Sequence, residues 1–311
     1  MSNERKKMIL ADLAIILMAF IWGSGFAGNK IVLNEGLHPM QLVAIRFVIA
    51  SIFLCIVFRK KLTKDKQTLK AGFIIGFVLF LSYMFQTVGL DYTTASNNAF
   101  LTSIYVIIVP LLAFFITKRA PDKYNLAATF LVLIGIFLLT VDFTDFSIGK
   151  TATFKGDMLT LISAVCYAFQ VIFIARYTKK HDPIVLAILQ ICVVAILSTI
   201  SALIFEGTTF NVSSRGVGIL LYLSLAATAL CLILQNVAQK YTTPTHAGVL
   251  MSLESVFGTL LGVLILKEHI NVQMYMGFLV ILIALIIAET KLSFIKIFYK
   301  HKKLSPYKQN K

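Results

Sequence analysis

Charge is scarce in this chain of 311 residues: Asp, Glu, Lys and Arg together make up 14% of it, and only 14 positions are acidic. Soluble domains carry roughly a quarter charged residues, so a surface that meets water on all sides is excluded. Cysteine is scarce as well. Cys55, Cys166, Cys192 and Cys231 show no pairing pattern and no metal-ligand spacing, which excludes a disulfide scaffold or a zinc module and leaves them as small apolar packing residues. The five histidines are scattered. No cofactor and no metal is expected, and no catalytic cluster of His and Asp can be assembled.

What is abundant is apolar side chain. Hydrophobic residues make up 58% of the sequence and the mean hydropathy is +0.86. A core cannot absorb that much Leu, Ile, Val and Phe, so lipid must replace water as solvent. Ten runs approach the roughly 20 residues that cross a hydrocarbon layer about 30 Å thick. They fall near 8–28, 40–58, 70–90, 96–117, 124–141, 156–176, 184–204, 216–237, 244–266 and 271–290. Arg5, Lys6 and Lys7 before the first run look like the start of a signal peptide, but nine more runs follow without a convincing cleavage site. The first run is expected to be a span.

The formal net charge of +15 could suggest a nucleic-acid partner, but its distribution excludes one. With the N-terminus inside, 23 of the 29 Lys and Arg fall in inside segments and five outside, Arg46 alone lying within a span. That asymmetry in short loops orients the chain in the cell membrane with both termini cytoplasmic. The tail 291–311, with FIKIFYKHKK, is either an anchor for the last helix or a contact with anionic lipid headgroups.

The sequence also repeats itself. At a constant offset of 149, Gln86 meets Gln235, Tyr92-Thr93-Thr94 meets Tyr241-Thr242-Thr243, Ser103 meets Ser252 and Tyr105 meets Glu254. At an offset of 145, Asp12 meets Asp157 and Trp22 meets Tyr167. The halves are 1–145 and 146–290, each with five runs, so the second copy enters the membrane from the opposite side. The expected fold class is therefore all-α integral membrane, ten transmembrane helices in two inverted five-helix repeats. Such repeats suit carriers that expose one midplane site to each side in turn.

IWGSGF at 21–26, AIRF at 44–47 and LESVFGTLLGVLILKE at 253–268 make the chain resemble the EamA-type family of the drug/metabolite transporter superfamily. The family usually has Pro where this chain has Ser255; the first half keeps Pro110 but ends in Lys118-Arg119 where Lys267-Glu268 closes the second. The resemblance implies an exporter or importer of small metabolites, commonly amino acids or related molecules, and export is the expected direction.

Polar residues within the runs supply the candidate site, because in lipid they must face protein or water. The expected substrate-binding set is Trp22, Tyr83, Gln86, Asn98, Tyr105, Tyr167, Gln170, Gln235 and Glu254, a lining of amides and aromatics with one carboxylate. A carboxylate at the middle of a span costs about 2.5–3.5 kcal/mol. Glu254 is therefore neutral, paired with Arg46 in a structural ion pair, or the proton-coupling and substrate-facing group. Gly248, Ser252, Ser255, Thr259 and Gly262 form a small-residue seam beside it, Pro110 is a candidate hinge, and Asp12 and Asp157 are expected to cap their helices. The fifth and tenth runs, almost wholly aliphatic, are expected at the periphery. Such a site fits a secondary transporter, not an enzyme, with a small-molecule substrate and membrane lipids as partners. An integral membrane enzyme and a passive channel are the alternatives.

Overall fold

The computed structural model describes residues 3–117, 123–140, 153–209, 212–268 and 272–290. Every regular element among them is helical. Eight continuous or once-broken helical runs, from Lys6–Asn34 to Pro244–Leu266, are long and apolar enough to cross a membrane by length and composition. Two further apolar helices, α6 (Lys123–Thr140) and α13 (Val272–Thr290), cover the fifth and tenth runs. The basic tail lies outside the described residues.

The helices begin where the sequence provides N-terminal partners. Asp65 accepts the N–H of Gln67 and Thr68 at the start of α3 (Lys66–Tyr92), and Asp182 does the same for Ile184 and Val185 at the start of α8 (Pro183–Phe205). The Thr68 hydroxyl and N–H hold the Asp65 carboxyl below its ordinary range. Partial burial works against Asp182, but the Lys61 ammonium at 2.9 Å and two backbone N–H groups outweigh it, and its carboxyl too is lowered. The Tyr-Thr-Thr turns act as caps: Thr94 Oγ1 accepts the Asn97 N–H at 3.0 Å, and Thr243 Oγ1 the His246 N–H at 3.2 Å.

Asp12 is not a cap. Helix α1 (Asn3–Asn34) starts well before it, and Asp12 instead meets His246 Nε2 at 3.0 Å. Asp157, in the first turn of α7 (Phe154–Tyr177), accepts from Thr93 Oγ1 at 2.7 Å. Other scarce acids serve the starts of neighbouring helices. Glu206 accepts the N–H of Met40 and Gln41 at the start of α2 (Pro39–Val57). Glu268 accepts those of Ala95 and Ser96 at the start of α4 (Ala95–Thr102).

Two expected spans are broken near their middles. The fourth divides into α4 and α5 (Tyr105–Thr117) at Ser103–Ile104, and the ninth into α11 (Pro244–Met251) and α12 (Leu253–Leu266) at Ser252. At both breaks the backbone passes to i→i−3 bonds, such as Val106 N–H to Ser103 O and Ser255 N–H to Ser252 O. Pro110 sits inside α5, and the break lies seven residues before it, at Ser103. The eighth run, α9 (Ser214–Ser224) and α10 (Cys231–Gln239), is joined through a π-helical turn at Leu225–Leu230.

Packing brings α1 against α12, α3 against α7 and α8, α2 against α8, and α4 against α12 and α7. The tightest approach of α1 to α12 is at Gly23, where a Cβ would lie 2.6 Å from that of Phe257 and 2.9 Å from the backbone of Glu254 and Gly258. A Cβ on Gly258 would lie 2.7 Å from that of Ala99. The small-residue seam is therefore wider than the wheel suggests. It reaches onto the stripe that carries Glu254, because α1 and α4 both press against α12 at Gly258. Helices α6 and α13 pack chiefly on one another, with Gly135 beneath Ile281 and Gly277, at the edge of the bundle. A belt of exposed Leu, Ile and Phe, including Leu10, Leu13, Ile52, Ile56, Phe115, Ile196, Ile204 and Leu264, covers the outside. So large an apolar surface is not tolerated in water.

Candidate functional site

Helices α1, α2, α3, α5, α7, α10, α11 and α12 and the π turn enclose a central cavity. Trp22 and Phe26 enter it from α1, Tyr83 and Gln86 from α3, Tyr105 from the first residue of α5, Tyr167 from α7 and Gln235 from α10. Glu254 enters from the second residue of α12, so both helix breaks deliver their first polar side chains to the same space. The space left among these side chains is about 30 Å³, roughly enough for a water or two. An organic molecule is admitted only if the walls move.

The walls are rigidly held. The Trp22 indole N–H donates to the Ala227 carbonyl at 2.8 Å, an acceptor presented by the π turn. Tyr83 stands edge-on between Phe47, at 4.8 Å, and Tyr167, at 5.8 Å between ring centroids. The Tyr167 hydroxyl donates to Gln86 Oε1 at 3.2 Å, and Gln86 Nε2 donates to Thr102 Oγ1 at 3.1 Å. Gln235 makes the matching contacts in the other half: a reciprocal amide pair with Gln170 at 3.0 and 3.1 Å, and Nε2 3.6 Å from the Met251 sulfur.

An acid and a base share the cavity without forming an ion pair among the described residues. Arg46, 2% exposed, donates from Nη1 to Asn29 Oδ1 at 2.9 Å and from Nη2 to Thr228 Oγ1 at 3.0 Å, and its guanidinium lies 5.3 Å from the centre of the Tyr83 ring. Among the described residues its Nε–H has no partner, and the Tyr105 hydroxyl adjoins the Glu254 carboxyl. Glu254 is 4% exposed and has no cation within 4.0 Å among the described residues. A paired Glu254–Arg46 structural bridge is thus not what these side chains form. Neutral hydrogen-bonding partners hold both Nη atoms of the guanidinium, and its Nε is left without one among the described residues.

Of the residues expected to bind substrate, Trp22, Tyr83, Gln86, Tyr105, Tyr167, Gln235 and Glu254 line the cavity, as does Arg46. Asn98 and Gln170 do not. Asn98 Nδ2 donates to the Gln86 carbonyl and to Thr160 Oγ1, and Gln170 is held between Gln190 and Gln235. Both brace lining residues from behind. The sequence reading missed Gly25, Phe26, Asn29, Val171, Ala227 and Met251. Asn29 alone carried a signal: it is a buried amide on the face of α1 that meets the Arg46 guanidinium.

The family model for EamA-like transporters matches the chain twice, over residues 9–141 and again over 154–290. The chain belongs to the EamA-like transporter family. An uncharacterized transporter of Archaeoglobus fulgidus is 35% identical over 288 residues, 93% of this chain and 88% of that protein. YoaV of Bacillus subtilis, also an uncharacterized transporter, is 23% identical over 88% of this chain and 94% of its own length. A solved crystal structure superposes with a TM-score of 0.69 over 89% of this chain and 96% of that one, at 16% identity, which shows the fold alone. This EamA-type chain is therefore a multi-pass membrane transporter, and family and relatives point to transport rather than catalysis.

Proposed function

We propose that the protein is a secondary transporter that moves a small zwitterionic organic metabolite, an amino acid or a close analogue, by alternating access between two inverted five-helix repeats. The observation that carries this reading is the composition of the cavity wall. Trp22 and Tyr167, Phe26 and Val171, Gln86 and Gln235, and Tyr105 and Glu254 are repeat mates at offsets of 145 or 149, and all eight line one space. Their supports also correspond: Gln86 bonds Thr102 where Gln235 contacts Met251, and Asp157 contacts Thr93 and Asn97 on α4's turn where Asp12 contacts His246 on α11. Twin matches of one family model, over 9–141 and 154–290, support the division into 1–145 and 146–290 and, with α6 and α13, a count of ten spans.

The charges set the substrate class. Arg46, with its unpartnered Nε–H, suits a carboxylate, and Glu254 suits an ammonium or a coupling proton. Trp22, Phe26, Tyr83, Tyr105 and Tyr167 offer an apolar body faces to lie against. A phosphate-rich substrate would want several deep cations, and Arg46 is the single one lining this cavity. The cytoplasmic orientation of both termini rests on the lysine and arginine distribution, and the direction proposed is export. Counterflow in reconstituted vesicles across amino acids, amines and nucleosides tests the reading. Trans-stimulated exchange of an amino acid, lost in Arg46→Gln, is the expected result. Exchange of amines or nucleosides alone, or conduction without exchange, overturns it.

A further inference from the structure

A second cleft lies away from the transport cavity, between the first turn of α3 and the last turn of α7. Gln67, Lys70, Arg176, Tyr177, Lys180 and His181 line about 290 Å³ of open space. Three cations converge there, and none has an acid within 4.0 Å or a side-chain hydrogen bond among the described residues. The carboxylates close by are already engaged. Asp65 holds the N–H groups at the start of α3, and Asp182 is bridged to Lys61. His181 is held by the Thr68 hydroxyl at 2.8 Å from its Nδ1. Lys70, Arg176 and Lys180 are exposed along one cleft, so an anion seated in it would meet all three.

The surroundings select the kind of anion. From the cleft, α7 carries a file of rings toward the middle of the bundle, Tyr177, Phe173 and Phe169, with successive centroids 6.4 and 6.1 Å apart. On α3, Phe73 and Phe77 stack at 6.2 Å and are both exposed, beginning one turn beyond Lys70. A soluble phosphate makes no use of these rows, whereas acyl chains lie along them. The cleft also sits at the end of the bundle richest in Lys and Arg, where Lys60, Lys64, Lys66 and Lys179 are exposed. Basic pockets between transmembrane helices on that side are suited to anionic headgroups.

We propose that Lys70, Arg176 and Lys180 form a binding site for the phosphodiester headgroup of an anionic membrane lipid, its chains following the rings of α3 and α7. The site is independent of the transport reading, since none of its residues reaches the central cavity. It is tested by native mass spectrometry of the full chain in detergent, titrated with phosphatidylglycerol, with phosphatidylcholine, or with phosphatidylglycerol in the presence of millimolar inorganic phosphate. Phosphatidylglycerol is expected to be retained in preference to phosphatidylcholine and to resist inorganic phosphate. Lys70→Gln/Arg176→Gln/Lys180→Gln should weaken retention roughly a hundredfold, about fivefold for each charge. A control with the same loss of charge outside the cleft, Lys60→Gln/Lys64→Gln/Lys179→Gln, should retain the lipid. Equal weakening in both triple variants would reduce the effect to general surface charge and overturn the proposal. So would retention that the cleft substitutions leave unchanged, or displacement by inorganic phosphate, which would make the ligand a soluble one.

Discussion

Glu254→Gln separates what the carboxylate does for the fold from what it does for transport. The side chain is 4% exposed, has no cation within 4.0 Å among the described residues, and adjoins the Tyr105 hydroxyl. The amide has nearly the same volume and keeps one oxygen toward Tyr105, so packing is preserved. If Arg46 were its partner, breaking the pair would strand a buried guanidinium and cost about 3–5 kcal/mol. Arg46 is instead held by Asn29, Thr228 and the Tyr83 ring. The variant is therefore expected to lose no stability, and to gain up to about 2.5–3.5 kcal/mol, the cost of an ionised carboxylate at mid-span. Thermal unfolding in detergent measures this part. In vesicles, a carrier that couples one proton to each substrate accumulates about tenfold for each pH unit across the membrane. Glu254→Gln should abolish that accumulation and leave equilibrium exchange within a few fold of the parent. Destabilisation by several kcal/mol would refute the unpaired arrangement, and pH-driven accumulation that survives would refute the coupling role.

Other substitutions probe the scaffold around the site. Gly258→Val forces a side chain to within 2.7 Å of Ala99 and 3.1 Å of Phe26. It should cost about 1–3 kcal/mol by overpacking, read as a lower unfolding temperature, and Gly218→Val, at a glycine with open space, should not. Trp22→Phe keeps the wall but leaves the Ala227 carbonyl without its 2.8 Å donor. A loss of about 1–3 kcal/mol, together with weaker ligand-induced thermal stabilisation, is expected; a fall in stability alone would make Trp22 a packing residue. Asp182→Ala removes the start of α8 and the Lys61 bridge and should cost about 1 kcal/mol, mostly through the cap. Because the folded carboxyl is held below its unfolded value, its contribution is full at neutral pH and fades as pH falls through that lowered value. The difference from the parent should therefore shrink toward pH 3.

Periodicity reads a helix's face but not its continuity, and this separates what was legible from what was not. Asn98, Thr102 and Tyr105 fall on one stripe of an unbroken helix, but the break at Ser103–Ile104 resets the register. Tyr105 reaches the cavity, while Asn98 and Thr102 turn to Thr160 and Gln86. Nothing in LAATAL announces a π turn, and its carbonyl and Thr228 hydroxyl nonetheless anchor Trp22 and Arg46. Asn29 was missed because the first span was ended at residue 28, the thickness of hydrocarbon, whereas α1 continues to Asn34. Glu254, Gln86, Gln235 and the aromatics were legible because a polar tip in an apolar run has few places to go.

The repeat relation and the charges together constrain how the proposed cycle is biased. Two identical halves related by a two-fold axis in the membrane plane would make the outward-open and inward-open states equivalent and equal in energy. The cavity wall departs from that equality at most positions, Gln86 and Gln235 being an identical pair, and the departures include Tyr105 against Glu254 and Arg46 and Asn29 against Ile191 and Ile174. Both charged side chains of the site are among these departures. On the proposed reading, the pair that recognises the substrate thus also lifts the degeneracy, because each charge is buried by one half's motion and hydrated by the other's. Neutralising Arg46 and Glu254 together should then bring the two states closer in population than either single change. Cysteine accessibility from the two sides, scored at Ser96 beneath Glu268 and at Asp12 beside His246, measures that balance. A double variant that stays as one-sided as the parent would place the bias outside the cavity.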